Sequence, residues 1–115
     1  MKDFNGEVEY KGKVYKLIFN FNVMEAIQNE YGTIEEWGKL SDGVSGEPNA
    51  KAVIFGFKEM LNEGLEIESE ENGTDFIPLT LKQVGRMITE IGLQNATNTL
   101  NETVIESTKS AEKNA

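Results

Sequence analysis

The sequence predicts an α+β fold, an N-terminal β-hairpin followed by about five α-helices in one helix-dominated domain. Three observations predict it. Residues 6–10 (GEVEY) alternate polar and apolar, and the alternation resumes beyond Lys11-Gly12. From Val23 onward the apolar residues recur at spacings of three and four, the signature of amphipathic helices. The chain has 115 residues, enough for one modest core and too few for two.

Taken in order, Val8 and Tyr10 fall on one face of the first strand, with Glu7 and Glu9 on the other. Gly12 permits the left-handed conformation of a tight hairpin turn, and Tyr15, Leu17, Phe19 and Phe21 then share a face of the second strand. A hairpin alone is barely stable in water, so helices must cover that aromatic face. Asn22, with Glu25 three residues on, reads as the cap of the first helix; Val23, Ala26, Ile27 and Tyr31 form its apolar face, and Gly32 stops it. Thr33 with Glu36 starts a short second helix carrying Ile34, Trp37 and Leu40.

Residues 41–49 (SDGVSGEPN) have loop composition. The third helix, Ala50 to Glu63, is apolar around most of its circumference, and Gly64 is expected to end it before an acidic, turn-rich stretch running to Pro78. Thr80 and Gln83 form a capping box for a fourth helix with Leu81, Val84, Ile88 and Ile91 on one face, closed by Gly92. The fifth carries Leu93, Ala96, Leu100 and Val104. Residues 1–106 are expected to form the globular domain, and 107–115 (STKSAEKNA) a flexible tail.

The charge balance narrows the functional classes. Twenty acidic residues against 11 basic ones give a net charge of −9, a field that repels nucleic acid and anionic membrane and favours solubility. With no Cys there is no thiolate chemistry or disulfide, and with no His the usual general base near neutral pH is missing. The N-terminal MKDFNGEVEY lacks a signal-peptide core, and no segment reaches membrane-spanning length, so a cytoplasmic protein is expected.

Four motifs invite a site and are weighed against simpler readings. The stretch around Gly92 has the outline of a DNA-reading helix-turn-helix. That alignment puts Ile88 where a small residue belongs and Asn98 where an apolar one does. Its second helix, Gln94 to Ser107, has no Lys or Arg and carries Glu102 and Glu106, so it would repel the phosphates it must approach. A packed helical hairpin is the better reading. Glu68, Glu70, Asn72 and Gly73 match part of a calcium loop, but its twelfth position is Leu79, not the bidentate Glu, so a solvated turn is expected. The same carboxylates lack the desolvation that an acid–base pair requires. Three N-x-T triplets begin at Asn72, Asn95 and Asn101, and without a secretory signal they carry no glycan implication. Met24, Met60 and Met87 are expected to serve mainly as core filling. No catalytic, cofactor-binding or metal-ligating residue is nominated, and the chain is not expected to be an enzyme.

The order of the pieces carries more than any one of them. GEVEYKGKVYKLIFNFNVMEAIQNEYG, then AKAVIFGFKEMLNEG, then PLTLKQVGRMITEIG together resemble the tail assembly chaperones of long-tailed bacteriophages and related gene-transfer particles. Those families share the strand pair with a Gly-Lys turn, a helix ending in Tyr-Gly or Leu-Gly, and a later Leu-Thr-x-x-x-Val-Gly segment. The resemblance spans residues 6–108, but its motifs are turns, caps and core positions. It implies a non-catalytic protein that binds the tape measure protein before the tail tube polymerises around it. The major tail tube protein and a second copy of the chain are further candidate partners. The expected location is the bacterial host cytoplasm during assembly and not the mature virion. Client contacts are expected on exposed apolar residues of a helix face that the sequence does not identify. Two rivals stay open: an acidic DNA-mimic inhibitor from a mobile element, and a structural connector or tail-completion protein.

Overall fold

The chain begins as the alternation requires. In a computed structural model that describes residues 6–42 and 46–113, with side chains to residue 107, strands β1 (Gly6–Tyr10) and β2 (Lys13–Leu17) pair antiparallel. The register runs from Gly6↔Leu17 to Tyr10↔Lys13. Lys11 and Gly12 form the two-residue turn, with φ of 51° and 79°; positive φ at both positions matches the right-handed twist of the strands. Five helices come after the hairpin: α1 (Phe21–Tyr31), α2 (Ile34–Ser41), α3 (Ala50–Asn72), α4 (Leu81–Ile91) and α5 (Leu93–Lys113). The α+β architecture expected from the sequence is therefore present.

Three local expectations need correction, each for a tertiary reason. The second strand ends at Leu17 and does not run to Phe21, because the Ile18 amide leaves the sheet to donate to the Met60 carbonyl of α3 at 3.2 Å. Phe19 still packs against the core, but Phe21 opens α1 and is 83% exposed. The cap of α1 is Asn20 and not Asn22: the Asn20 side chain accepts from the Val23 amide at 3.2 Å. Glu63 of α3 accepts from the side-chain amides of both Asn20 (2.7 Å) and Asn22 (3.1 Å), tying the start of α1 to α3.

The third correction concerns Gly64, which does not end α3. The helix continues to Asn72 and is capped by Gly73 in the left-handed conformation. Gly64 is instead a point of close approach, where a Cβ would stand 2.6 Å from the Lys16 carbonyl oxygen of β2. Residues 65–72 of the stretch expected to be an acidic turn are thus the last turns of a helix about 35 Å long, and only Gly73 to Pro78 lie outside it.

The core sits around the first half of α3, where Ala52, Val53, Phe57, Met60 and Leu61 are fully buried. They meet Leu17 of the hairpin, Val23 and Ile27 of α1, Trp37 of α2, Val84 and Met87 of α4, and Ala96 and Leu100 of α5. Met60 and Met87 are core filling, as expected, while Met24 is half-buried. Trp37 packs directly on the α3 backbone, where a Cβ at Gly56 would strike its ring, and its indole N–H donates to the Ala52 carbonyl at 2.9 Å. The same face of the sheet also meets α5: Gly6, the register partner of Leu17, lies against Thr99 and the buried Thr103.

Thr33 and Thr80 cap α2 and α4 as expected, the latter through a complete capping box with Gln83. The ends of the 41–49 segment are closed by the Asn49 amide donating to the Leu40 carbonyl at 2.7 Å. Ser41 belongs to α2, and residues 43–45 lie outside the described residues. Most of the expected tail, 107–115, also falls beyond the described side chains, although α5 itself extends to Lys113.

Candidate interaction groove

Asn62 determines where α4 lies. Its side-chain oxygen accepts from the Leu79 amide at 2.8 Å and its amide donates to the Leu79 carbonyl at 3.1 Å, a two-bond clamp on one backbone unit. The stretch of α3 from Asn62 to Gly73 rises about 16 Å, and the chain from Gly73 to Leu79 reaches at most about 20 Å. The connector must therefore run back along α3 nearly extended. Helix α4 then starts level with the middle of α3 and travels toward its N-terminal end, antiparallel to it.

This return leaves an open groove of about 350 Å³ between the two helices. Its lining comes from Ala50, Val53 and Ile54 of α3, Gly85, Ile88 and Thr89 of α4, and Leu93 at the start of α5. Gly85 keeps it open: an added Cβ would lie 3.7 Å from the Ile54 Cδ1 atom, an ordinary contact, so the helices touch lightly there. Thr89 is the one polar side chain in the lining, and its hydroxyl donates to the Gly85 carbonyl at 2.9 Å. With that hydroxyl's proton engaged, the groove offers mainly hydrocarbon.

Apolar surface continues beyond the groove. Leu93 is 44% exposed at one end, and Leu81, one helical turn before Gly85 on α4, is 54% exposed. Elsewhere the exposed large apolar residues are scattered: Phe21 at the start of α1, Val14 on β2, Leu40 on α2, Ile77 in the connector and Ile105 on α5. Scattered exposure is ordinary, whereas a concave apolar surface on rigid helices is the more informative feature. The sequence contains the pattern i, i+4, i+7, i+8 (Leu81, Gly85, Ile88, Thr89) on α4 but not the glycine's meaning, since only the antiparallel return places it opposite Ile54.

The other sequence motifs resolve into structure. Gly92 closes α4 with φ of 100°, and α5 begins at the next residue, so the unit read as a helical hairpin is formed by α4 and α5. Asn98 faces outward and accepts from the Gln94 side chain at 3.2 Å. Glu68, Glu70 and Asn72 stand on α3, so the partial calcium-loop spacing corresponds to no loop. Among the described residues no three acidic side chains gather in a metal-holding arrangement, and no helix is long and apolar enough to cross a membrane.

One buried polar atom stands out. The Tyr31 hydroxyl, at the edge of α1 where its ring meets Phe55 edge-on at 5.6 Å, finds no hydrogen-bond partner among the described residues. Its pKa is raised above 10.0, mainly by desolvation; nearby Lys51 opposes the shift and Glu30 adds to it.

Compared with protein-family models, curated proteins and solved structures, the chain matches none of them.

Proposed function

We propose that the protein is a tail assembly chaperone of a long-tailed phage or related particle. It binds apolar segments of the tape measure protein and keeps that long client soluble until the tube polymerises. The observation that carries this reading is the apolar groove, a preformed concave surface on a rigid helical body. The order of segments along the chain supports it independently, through its resemblance to that family. The net charge of −9 fits the task, because a strongly charged body attached to a sticky client raises the solubility of the pair.

Co-expression with a tape measure protein from the same genome tests the reading. A soluble complex on pull-down, with the client insoluble when expressed alone, is the expected result. No complex and no gain in solubility would remove the reading. Stoichiometric presence in purified virions would instead favour a connector or tail-completion protein.

A second reading gains one specific observation. Because α3 extends to Asn72, Glu59, Glu63, Glu66 and Glu70 recur along one side of a single helix, the spaced carboxylates that a DNA mimic needs. Two of them are engaged within the fold, Glu59 with Lys58 at 3.0 Å and Glu63 with the two asparagines. That leaves Glu66 and Glu70, with Glu68 and Glu71 nearby, too short a run to rank above the groove. Competition with duplex DNA for a host DNA-binding enzyme is the outcome that would reverse the ranking.

A further inference from the structure

We infer that the groove between α3 and α4 takes an amphipathic client helix whose apolar stripe is flanked by carboxylates. This rests on the client-binding reading for the identity of the client, but not for the chemistry of the surface.

The cations of α3 and α4 are Lys51, Lys58, Lys82 and Arg86. Each stands three or four residues from a groove-lining position on its own helix: Lys51 and Lys58 from Ile54, Lys82 from Gly85, and Arg86 from Thr89. Side chains so spaced are neighbours on a helix surface, so both walls are edged with positive charge. No acidic residue of α3 or α4 is so placed within its helix; Glu90 stands next to Arg86 on the outer row, and Glu59 to Glu71 fall beyond the groove. In a chain with 20 acidic and 11 basic residues, a basic edge around the apolar groove is a reversal of the general field.

These charges are available to a partner. Lys82 and Arg86 are not buried and make no ion pair among the described residues. Lys51 pairs with Glu30 at 3.3 Å, with the two side chains 74% and 43% exposed, and a pair that open holds its partners weakly. Lys58 is the most committed, paired with Glu59 at 3.0 Å and lying 5.9 Å from the centre of the Phe55 ring. An apolar groove with charged edges is read by a helix that lays its i, i+3, i+4, i+7 residues into the groove. Its flanking residues then meet the edges, and like charges there would be rejected.

The test uses two dye-labelled synthetic helical peptides with the same leucine stripe, one flanked by Glu and one by Lys, titrated into the full chain by fluorescence anisotropy. The Glu-flanked peptide is expected to bind about ten-fold more tightly at low salt, the gap closing as salt screens the edges. The double variant Lys82→Glu/Arg86→Glu is expected to reverse the order. Gly85→Phe, which fills the groove, is expected to abolish binding of both peptides while its circular dichroism and cooperative unfolding match those of the unaltered chain. Equal affinities, preference for the Lys-flanked peptide, or no binding of either would overturn the inference. So would a dimer disrupted by Gly85→Phe in place of peptide binding, since it would make a second copy the occupant. If tape measure protein co-purifies with the double variant and with Gly85→Phe as well as with the unaltered chain, the inference fails while the chaperone reading stands. If the acidic peptide binds but the tape measure protein does not, the reverse holds.

Discussion

Gly64 and Gly92 both come after an apolar helical run in the sequence, and they do opposite things. Gly92 ends α4 with φ of 100° and ψ of 134°, a region that residues with a Cβ rarely occupy, so the chain can break and restart within one residue. Gly64 stays helical in the middle of α3 and is required because the β2 backbone passes where a side chain would begin. The first is a local stop that a short piece of sequence can encode. The second is a tertiary contact between segments 48 residues apart, from Lys16 to Gly64. A glycine after an apolar run therefore signals either an end or a close approach, and the residues beyond it decide between them. After Gly64, Leu65 lies four residues beyond Leu61, and Glu, a good helix former, dominates up to Asn72 with no proline before Pro78.

Substitutions separate these roles. Gly64→Val is expected to have the largest effect, a loss of about 3 kcal/mol in denaturant unfolding, because its branched side chain overpacks against an immovable carbonyl. A loss under about 0.5 kcal/mol, the level of an ordinary surface change, would mean that α3 does not press on β2. Gly92→Ala is expected to cost about 2 kcal/mol through backbone strain alone. Amide exchange tells the two apart: it should rise in β2 for the Gly64 variant and at the α4–α5 junction for the Gly92 variant.

A third glycine sharpens the contrast in the opposite direction. Gly85 has neither positive φ nor a close neighbour, so Gly85→Ala is expected to stabilise the chain by up to about 1 kcal/mol through helix propensity. Destabilisation would show that the groove is closed. The smallest expected change is for Tyr31→Phe, within about 0.5 kcal/mol at neutral pH, since the hydroxyl has no partner among the described residues to lose. The folded-state pKa of Tyr31 lies above its unfolded value of 10.0, so the folded chain binds more protons between the two values. Stability from this group is complete below about pH 10 and declines as pH rises through the folded value. Tyr31→Phe should flatten that alkaline decline, which a pH series of thermal unfolding can read.

The division between local and tertiary causes also sets how much of the fold is legible in the sequence. Thr33 with Glu36 and Thr80 with Gln83 are legible because a cap and its amide lie three residues apart. Asn20 and Asn22 are locally near-equivalent, and Asn20 becomes the cap because the chain leaves the sheet at Ile18, bound to Met60 far along the chain, and turns into α1 at Phe21. Phe21 looks like a continuation of the aromatic strand until the Ile18–Met60 hydrogen bond removes it from the sheet. The groove is the least legible feature. Its apolar residues are visible as helix positions, but its existence depends on Asn62 returning the chain along α3, and its charged edge depends on two helices lying side by side.

Hydrogen exchange on the protein alone and in complex with co-expressed tape measure protein tests the central claim most directly. The expected result is new protection concentrated in Ala50–Phe57, along α4 and at Leu93, with the hairpin and the acidic end of α3 unchanged. Protection confined to the hairpin or to Glu66–Glu71, with α4 unaltered, would contradict it.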